Sequence, residues 1–369
     1  MVDASKLEWR PKEWYDEAAI EMVSDEVSGV DFSSKKLSTV SGKEHSYTKL
    51  ILATGGTPKA LPLPGFKELQ NIFLLREITD AQAIMSAVGK EKGKKIVVIG
   101  SSFIGMEVAN CLSQKGHTVT VVGMESAPME RVMGAEVGSI FQSLLSKNGV
   151  QFRMQAGVEK AAPSPSHPSH VGAIHLKDGS ALEADLVVLG VGVRPATDFL
   201  KGALDLLPDG SLRTSESFQV ASLPDVYAIG DIATYPYHGP GGNGAPTRIE
   251  HWNVAQNAGR AVAFGIAHPG AKPKAFIPVF WSALGSQLRY CGNTPNGWDD
   301  LVLKGDKGEG KFAAFYTKGE TVVAVASMQM DPVMAKSAEL MRRGSMPSKS
   351  ELKGGVDVLE VGLPPAVKI

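Results

Sequence analysis

The residues best suited to bind a dinucleotide lie near position 100. A run of β-branched residues, KIVVI at 95–99, meets a turn that carries Gly100 and Gly105, and an amphipathic helical pattern follows. In such a strand–turn–helix unit, free amides at the helix N-terminus receive a pyrophosphate. Ile104 belongs to the same turn, and Ser102 replaces the middle glycine of Gly-x-Gly-x-x-Gly, where its side chain could crowd a phosphate. The spacing favours a dinucleotide site over an ordinary strand–helix turn, which stays the alternative.

A carboxylate after the next strand bears on the choice of nucleotide. In dinucleotide-binding units, an acidic residue about 20 residues after the turn holds the ribose diol. The second strand, HTVTVV at 117–122, is followed by Gly123 at the expected position and by Glu125 as the nearest carboxylate. Arg131 comes only in the next turn, so no arginine cluster follows at once to receive a 2′-phosphate. The sequence therefore favours NADH, with NADPH as the alternative.

A further strand ends in a polar side chain suited to binding. The apolar run VYAI at 226–229 leads directly into Gly230 and Asp231. A carboxylate at this strand end can accept hydrogen bonds from a ribityl or pyrophosphate-bound group, whereas the alternative is an aspartate that caps a turn. The neighbouring residues favour the binding function.

Four further residues could lie near a redox-active ring and are candidate catalytic residues. We place Glu107 at the second position of the helix after the glycine turn, where a carboxylate either suits the positive helix end or faces a flavin edge. His251 and Trp252 follow Glu250 directly before a helix, whose first amides could take charge from a reduced flavin. His251, Trp252 and Trp281 could also be ordinary packed aromatics.

Composition excludes several classes of function. The chain has 369 residues, Lys+Arg 38 against Asp+Glu 39, and an isoelectric point near 6.7, a balance that argues against binding to nucleic acid. No run approaches the ~18 apolar residues of a membrane span, so we expect no membrane-spanning helix. The two cysteines, Cys111 and Cys291, form no Cys-x-x-Cys, which excludes such a dithiol–flavin relay within this sequence. We expect no metal site, because the His167/His170 pair has no carboxylate or cysteine neighbours.

Strands alternate with helices over most of the chain, and a mostly antiparallel region follows. This order predicts an α/β fold with an α+β cap. The predicted elements include strands at 95–99, 117–122, 185–192 and 225–231, helices at 134–147 and 254–267, an antiparallel sheet over 280–328 and a terminal helix at 332–342.

Seven motifs occur in order between residues 53 and 328, and the resemblance that they carry extends from about residue 4 to residue 341. They are ATGGTP at 53–58, GSSFIGME at 100–107, GVRP at 192–195, VYAIGD at 226–231, EHW at 250–252, FW at 280–281 with LRY at 288–290, and FYTK at 315–318 with VASM at 325–328. In this combination the chain resembles the FAD-dependent pyridine-nucleotide oxidoreductases of the apoptosis-inducing-factor, rubredoxin-reductase and ferredoxin-reductase family, in particular the group similar to apoptosis-inducing factor 3.

The resemblance implies roles for the candidate residues. It implies FAD in one domain, NADH in a second domain inserted into it, and an interface domain at the end. Gly230 and Asp231 would meet the ribityl–phosphate region of FAD, and Glu107 would lie beside the flavin. The implied NAD site consists of Gly100, Ser102, Ile104, Gly105, Glu125 and Gly192. The implied FAD and ring-binding residues are Ala53, Thr54, Gly55, Glu250, His251, Trp252 and Trp281.

The fold class expected from this resemblance is α/β, with two Rossmann-like domains that bind FAD and NAD(P), the first incomplete, and an α+β C-terminal reductase interface domain. We expect a partial FAD-binding domain at 1–92, an NAD(P)-binding domain at 93–215, a second FAD-binding segment at 216–270 and the interface domain at 271–369. The first GxGxxG unit of the family, and a lysine expected to pair with Glu107, would lie upstream of residue 1. We therefore expect an N-terminally truncated piece, with exposed edges in the FAD sheet.

Two functions remain open from the sequence. The first is an FAD-dependent NAD(P)H oxidoreductase that passes hydride from NADH to flavin, and electrons on to a protein carrier of the ferredoxin or Rieske type, a quinone or oxygen. The second is a flavin-poor, non-catalytic protein that binds NAD(H) or an apoptosis-related partner. We expect a homodimer in the cytoplasm, with mitochondrial association as the alternative if an N-terminal segment is missing.

Overall fold

A five-stranded parallel sheet forms the centre of the fold. The computed structural model describes residues 10–271 and 276–363, and its strands and helices are numbered here in chain order. The spatial order of the sheet is β6-β13-β7-β8-β9. Its strands are β6 (Ile72–Leu74), β7 (Lys95–Ile99), β8 (Thr118–Val122), β9 (Gln151–Arg153) and β13 (Leu186–Leu189). The β-branched runs that predicted β7 and β8 are buried from their second residue onward, as strands covered on both faces require.

Three helices accompany this sheet, α2 (Ile78–Val88), α3 (Phe103–Gln114) and α4 (Glu130–Lys147). The predicted start of α4 at residue 134 is too late, because the helix begins at Glu130 and continues through a kink at Gly134, whose φ is +74°. A smaller antiparallel sheet of β10 (Val158–Pro163), β11 (Val171–Leu176) and β12 (Ala181–Glu183) packs against the other side through Ile174 and Leu176.

The regions assigned to FAD binding form several small sheets. A three-stranded antiparallel sheet of β1 (Val27–Asp31), β2 (Lys36–Thr39) and β3 (Glu44–Ser46) follows the short helix α1 (Lys12–Glu17). β4 (Leu50–Leu52) pairs in parallel with β16 (Val226–Ala228), and among the described strands these two pair only with each other. Ile51 of β4 is exposed. The described part of this region therefore contains a parallel sheet of two strands.

The remaining pieces of this region connect it to the rest of the chain. β5 (Gly56–Pro58) pairs antiparallel with β14 (Val193–Pro195), which follows the parallel sheet directly. A third small sheet contains β15 (Leu212–Arg213), β17 (Ala233–Tyr237) and β18 (Ala245–Thr247). The helix α5 (Trp252–Ala267) packs its buried Val254, Ala258 and Val262 into the same core as β4 and β16.

The C-terminal region is a five-stranded antiparallel sheet in the order β19-β20-β23-β22-β21. Its strands are β19 (Val279–Ala283), β20 (Gln287–Gly292), β21 (Asp300–Asp306), β22 (Lys311–Lys318) and β23 (Thr321–Met328), followed by α6 (Val333–Arg342) and α7 (Lys349–Lys353). One face of this sheet shares a hydrophobic core with α4. There the ring centroids of Phe141 and Phe312 lie 5.8 Å apart, and the Tyr316 hydroxyl donates to the Met133 carbonyl at 2.9 Å.

The predicted α/β fold with an antiparallel C-terminal region is confirmed. The three boundaries between the four predicted ranges stay predictions, and β6 of the range 1–92 pairs with β13 of the range 93–215. Within residues 10–271 and 276–363, no helix combines the length and hydrophobicity that crossing a membrane requires.

Candidate functional site

A cavity opens at the carboxyl edge of the parallel sheet, where β7, β8 and β13 end. It has a volume of about 610 Å³ and is lined by the loops after these strands and by the start of α4. Four residues predicted to bind nucleotide line it, namely Gly100, Ser102, Glu125 and Gly192. Ligands of open α/β sheets bind outside the carboxyl ends of the strands, so this cavity is the candidate dinucleotide site.

Glycine is required at both ends of the turn beside this cavity. Gly100 has a φ of +109°, and a Cβ there would lie 2.3 Å from the carbonyl oxygen of Gly190. A Cβ on Gly105 would lie 2.0 Å from the carbonyl oxygen of Gly100. Side chains at these positions would push strand and helix apart, so the turn keeps its backbone accessible to a phosphate.

The start of α3 leaves amides available to an anion. Ser102 is the N-cap residue, and its side chain accepts no hydrogen bond from the helix amides. Ile104 is exposed in the first turn of α3 but is not among the residues that line the cavity. A role for Ile104 in cofactor binding therefore stays a prediction.

Glu125 lies in the cavity wall with two partners. Nε of Arg131 lies 2.7 Å from Oε1 of Glu125, and the Ser101 hydroxyl donates to Oε2 at 3.3 Å. A carboxylate that can accept a ribose diol thus lies beside a guanidinium that can attract a 2′-phosphate. The sequence placed Arg131 only in the following turn, and the structure brings it into direct contact.

A second cluster forms around Asp231, beyond the end of β16. Arg76 Nη2 donates to Asp231 Oδ2 at 2.7 Å, and the Asp231 side chain is only 10% exposed. A Cβ on Gly55 would lie 3.2 Å from the same Nη2 of Arg76. The Thr54 hydroxyl donates to the Ala196 carbonyl at 2.7 Å. The predicted residues after β4 and those after β16 therefore meet, and Arg76 connects them.

The same loop contacts the start of α5. Gly230 has a φ of +69°, and a Cβ there would lie 3.2 Å from Cβ of Ala255. Arg248 donates through Nη1 to the Asp231 carbonyl at 3.1 Å and to the Glu250 carboxylate. Arg248 Nε also donates to Asp209 at 2.8 Å. One guanidinium therefore holds the Gly230–Asp231 turn and Glu250 together.

The aromatic cluster consists of Phe103, His251, Trp252, Phe280, Trp281 and Tyr290. Trp252 and Trp281 are 4.6 Å apart between ring centroids with an interplanar angle of 81°, and they are 44% and 47% exposed. Beneath them, His251 lies 6.0 Å from Trp281 and 5.4 Å from Phe280. Three of the predicted ring-binding residues are thus brought together by α5 and β19, and two large rings stay accessible.

His251 is a neutral imidazole in this cluster. Burial lowers the pKa of His251 from its usual value near 6.5 to about 4, against the opposing effect of the negative charge on Asp231. Nδ1 accepts a hydrogen bond from the Asn253 amide at 3.2 Å, which makes His251 the N-cap of α5. An unprotonated Nδ1 is required for this bond, so burial and capping favour the same protonation state.

Glu107 lies further along α3 than predicted. It is the fifth residue of α3 rather than the second, because the helix begins at Phe103. Its Oε1 accepts hydrogen bonds from the Ser282 hydroxyl and, at 3.0 Å, from the Ala283 amide. The carboxylate is therefore bound to β19, directly after Trp281, and the helix dipole does not explain its position.

Sequence reasoning missed Arg76 and Arg248. Arg76 precedes α2, and its only local signal is Asp80, which accepts hydrogen bonds from the amides of Arg76 and Glu77 at 2.8 and 2.9 Å. Arg248 lies two residues before the EHW motif. Neither position reveals which carboxylate the arginine will meet.

The chain matches two known protein-family models, one over its first two thirds and one over its C-terminal region. Residues 7–259 match the family described as "Pyridine nucleotide-disulphide oxidoreductase", and residues 279–357 match the one described as "Reductase C-terminal". The chain belongs to the pyridine nucleotide-disulphide oxidoreductase family. The cavity and the Asp231 cluster fall in the first match, and Trp281 falls in the second.

Two curated relatives match most of the chain. Apoptosis-inducing factor 3 of Homo sapiens is 36% identical over 351 residues, which are 94% of this chain and 56% of that protein. Monodehydroascorbate reductase 3 of Arabidopsis thaliana is 33% identical over 326 residues, which are 85% of this chain and 71% of that protein. The chain thus spans little more than half the length of apoptosis-inducing factor 3.

Two solved reductases share the fold of this chain. The putidaredoxin reductase–putidaredoxin complex superposes with a TM-score of 0.87 at 26% identity, covering 96% of this chain and 83% of that chain. The ferredoxin reductase for the CYP199A2 system from Rhodopseudomonas palustris gives 0.87 at 28% identity, covering 95% and 83%.

Members of this oxidoreductase family bind FAD and NAD(P)H, and the residues described above fit both groups. The cavity and the turn at Gly100 and Gly105, where a Cβ would fill the space, fit a dinucleotide. The exposed pair of Trp252 and Trp281 fits a planar ring.

Proposed function

We propose that this chain acts as an FAD-dependent NAD(P)H oxidoreductase, with NADH as the preferred donor. One observation carries the proposal: the N-cap residue of α3 lines the cavity, and the next residue belongs to the aromatic cluster. Ser102 lines the cavity, and the ring centroids of Phe103 and Phe280 in the cluster lie 4.9 Å apart. The candidate dinucleotide site and the aromatic cluster are therefore adjacent along the chain.

The residues of the cavity would bind and orient the nicotinamide dinucleotide. The amides at the start of α3 would receive the pyrophosphate, and Glu125 would accept the ribose hydroxyls. Gly192 has a φ of +92°, and a Cβ there would meet no atom within 4 Å, so this loop leaves room at the far end of the cavity. The Gly192 carbonyl accepts from the Lys59 amide at 2.9 Å, which ties the loop to the β5 region.

The Asp231 cluster would bind the FAD chain. Asp231 and Arg76 present a carboxylate and a guanidinium, and Ala53, Thr54 and Gly55 lie beside them at the end of β4. This set can accept hydrogen bonds from ribityl hydroxyls and donate them to a phosphate. When bound, flavin and nicotinamide supply hydride transfer and the release of electrons one at a time.

The residues around the rings would exclude water and stabilise negative charge. Trp252 and Trp281 offer apolar faces, and the neutral His251 adds no positive charge there. The start of α5, directly after Glu250, carries the partial positive charge of the helix N-terminus instead.

We propose a one-electron protein carrier of the ferredoxin type as the electron acceptor. Support comes from the two reductases of similar fold, one of which forms a complex with putidaredoxin. We also propose the domain division given above, a homodimer and a cytoplasmic location. Limited proteolysis, light scattering and imaging of a fluorescent fusion test these three in turn.

A visible spectrum of the purified protein tests the main proposal. We expect an absorption band near about 450 nm that bleaches when NADH is added without oxygen. Ferredoxin, monodehydroascorbate and a quinone are then compared as acceptors for NADH oxidation. A protein that stays colourless after incubation with FAD would contradict the proposal and favour the non-catalytic alternative.

A further inference from the structure

Ser282 lies between two regions that the sequence separates widely. It follows Trp281 in β19, and its side chain is buried. Its hydroxyl donates to Oε1 of Glu107 in α3, 175 residues earlier in the chain. The amide of Ala283 donates to the same oxygen at 3.0 Å. Two donors of β19 thus hold one carboxylate oxygen of the helix that begins at the cavity.

An aromatic contact lies on the same faces of these elements. Phe103 and Glu107 are four residues apart in α3 and therefore lie on one side of the helix. Phe280 and Ser282 are two residues apart in β19 and therefore share one face of the strand. The ring centroids of Phe103 and Phe280 lie 4.9 Å apart. The contact of α3 with β19 therefore combines this apolar pair with the hydrogen-bonded pair of Glu107 and Ser282.

The alternation of β19 places Trp281 on the opposite face. There its ring lies 4.6 Å from Trp252, at the first residue of α5. Trp281 is half-exposed, and its neighbours alone leave much of the ring uncovered. The position of the ring therefore depends on how firmly the strand itself is held.

We propose that Ser282 is a positioning residue that, through Glu107, fixes β19 against α3 and so holds Trp281 in the aromatic cluster. Hydrogen bonds to a carboxylate are shorter and roughly twice as strong as those between neutral groups. A buried hydroxyl that loses this partner has no compensating solvent. The bond therefore links the helix that carries the glycine turn to the strand that carries the accessible ring.

The role of this link in the reaction rests on the proposed function, but the test of the link does not. The chain contains five tryptophans, at positions 9, 14, 252, 281 and 298. Labelling them with 5-fluorotryptophan gives separate ¹⁹F resonances, and Trp281→Phe identifies that of Trp281. Trp298 serves as an internal reference, because it lies in the same C-terminal region but packs against Tyr316 at 5.2 Å.

Three variants then separate positioning from general destabilisation. Ser282→Ala should move or broaden the Trp281 resonance by more than its linewidth while that of Trp298 stays in place. Ser282→Thr, which keeps the hydroxyl, should restore the Trp281 resonance. Ser327→Ala is the matched control, because Ser327 is a buried serine of β23 in the same sheet whose hydroxyl has no partner among the described residues.

An unchanged Trp281 resonance in Ser282→Ala would overturn the proposal. Equal changes at Trp281 and Trp298, or no recovery in Ser282→Thr, would overturn it as well, since these results indicate a general loss of packing. The spectra are recorded on the protein as purified. A colourless protein would contradict the flavoenzyme proposal and would leave this test of Ser282 intact.

Discussion

Arg76 and Asp231 form an ion pair across 155 residues of sequence. Nη2 of Arg76 lies 2.7 Å from Oδ2 of Asp231, and the two side chains are 38% and 10% exposed. The carboxylate is therefore the more deeply buried partner. This asymmetry determines which of the two residues is more costly to lose.

Arg76→Met should destabilise the protein more than Asp231→Asn does. The first change leaves a buried carboxylate uncompensated, at a cost on the order of 2 kcal/mol, below the ~3–5 kcal/mol of a fully buried pair. The second leaves only a partly exposed guanidinium. Urea unfolding measures the difference, and Lys95→Met is the control, because it breaks the exposed Lys95–Glu183 pair and should change little. Equal losses for the first two variants would show that the carboxylate finds another partner.

Gly105→Ala should destabilise the chain, whereas Gly265→Ala should stabilise it. Both glycines lie inside helices, but a Cβ on Gly105 would meet the Gly100 carbonyl at 2.0 Å, and one on Gly265 would meet no atom within 4 Å. Displacing the turn costs about 1–3 kcal/mol, and an unobstructed helical glycine gains roughly 0.5–1 kcal/mol as alanine. Thermal unfolding compares the two variants, and the same sign for both would contradict the close packing at Gly105.

Glu125→Ala should shift nucleotide preference from NADH towards NADPH. The variant removes the acceptor for the ribose diol and frees Arg131, whose Nε lies 2.7 Å from that carboxylate. Loss of a charged hydrogen bond corresponds to about a tenfold weaker NADH affinity. Isothermal titration with NADH and NADPH measures both affinities. Arg131→Ala should have the opposite effect, with a weaker affinity for NADPH and an unchanged affinity for NADH. If neither variant changes the nucleotide preference, this pair does not determine it.

His251 should make the protein less stable as the pH falls from about 6.5 to about 4. Its pKa is lowered to about 4 in the folded chain, so the unfolded chain binds an extra proton in this interval. The stability that neutral His251 provides is therefore complete above pH 6.5 and is lost on acidification. The shift corresponds to roughly 3 kcal/mol, which solvent screening of the partly exposed ring reduces to on the order of 1–2 kcal/mol.

The matched variant for this prediction is His251→Asn. Asparagine keeps an N-cap acceptor for the Asn253 amide but does not titrate. Urea unfolding at pH 7.5 and pH 5 should show a smaller loss of stability in the variant than in the unaltered protein. Parallel losses in both proteins would assign the pH dependence to other groups.

The two cysteines should react at very different rates. Cys111 is exposed, whereas Cys291 is buried in β20, and burial raises the pKa of its thiol to about 12. The thiolate is the reacting form, so an uncharged aromatic disulfide reagent should label Cys111 alone in the native protein. Mass spectrometry should find a second label only in denaturant. Native labelling at Cys291 would show that the C-terminal sheet opens.

Several features of the fold were predictable because their signals are local. The run at 95–99 and the following glycines predicted β7, the turn and α3, since β-branched residues favour strands and a φ of +109° favours glycine. The helix predicted at 134–147 is too short at its start, since α4 begins at Glu130 and continues through Gly134 as a kink. Trp298 packs on Gly134 there, a contact from 164 residues away that no local pattern reveals.

The sequence by itself determined the strands, the glycine turns and the types of residue that could bind two nucleotides. These depend on backbone geometry and on residues close together in the chain. The tertiary structure alone decided that Arg76 meets Asp231, that Glu107 is bound by Ser282 and that Trp252 lies beside Trp281. Such partners depend on how separate sheets and helices pack, because side chains far apart in sequence compete for the same carboxylate or ring until the fold is formed.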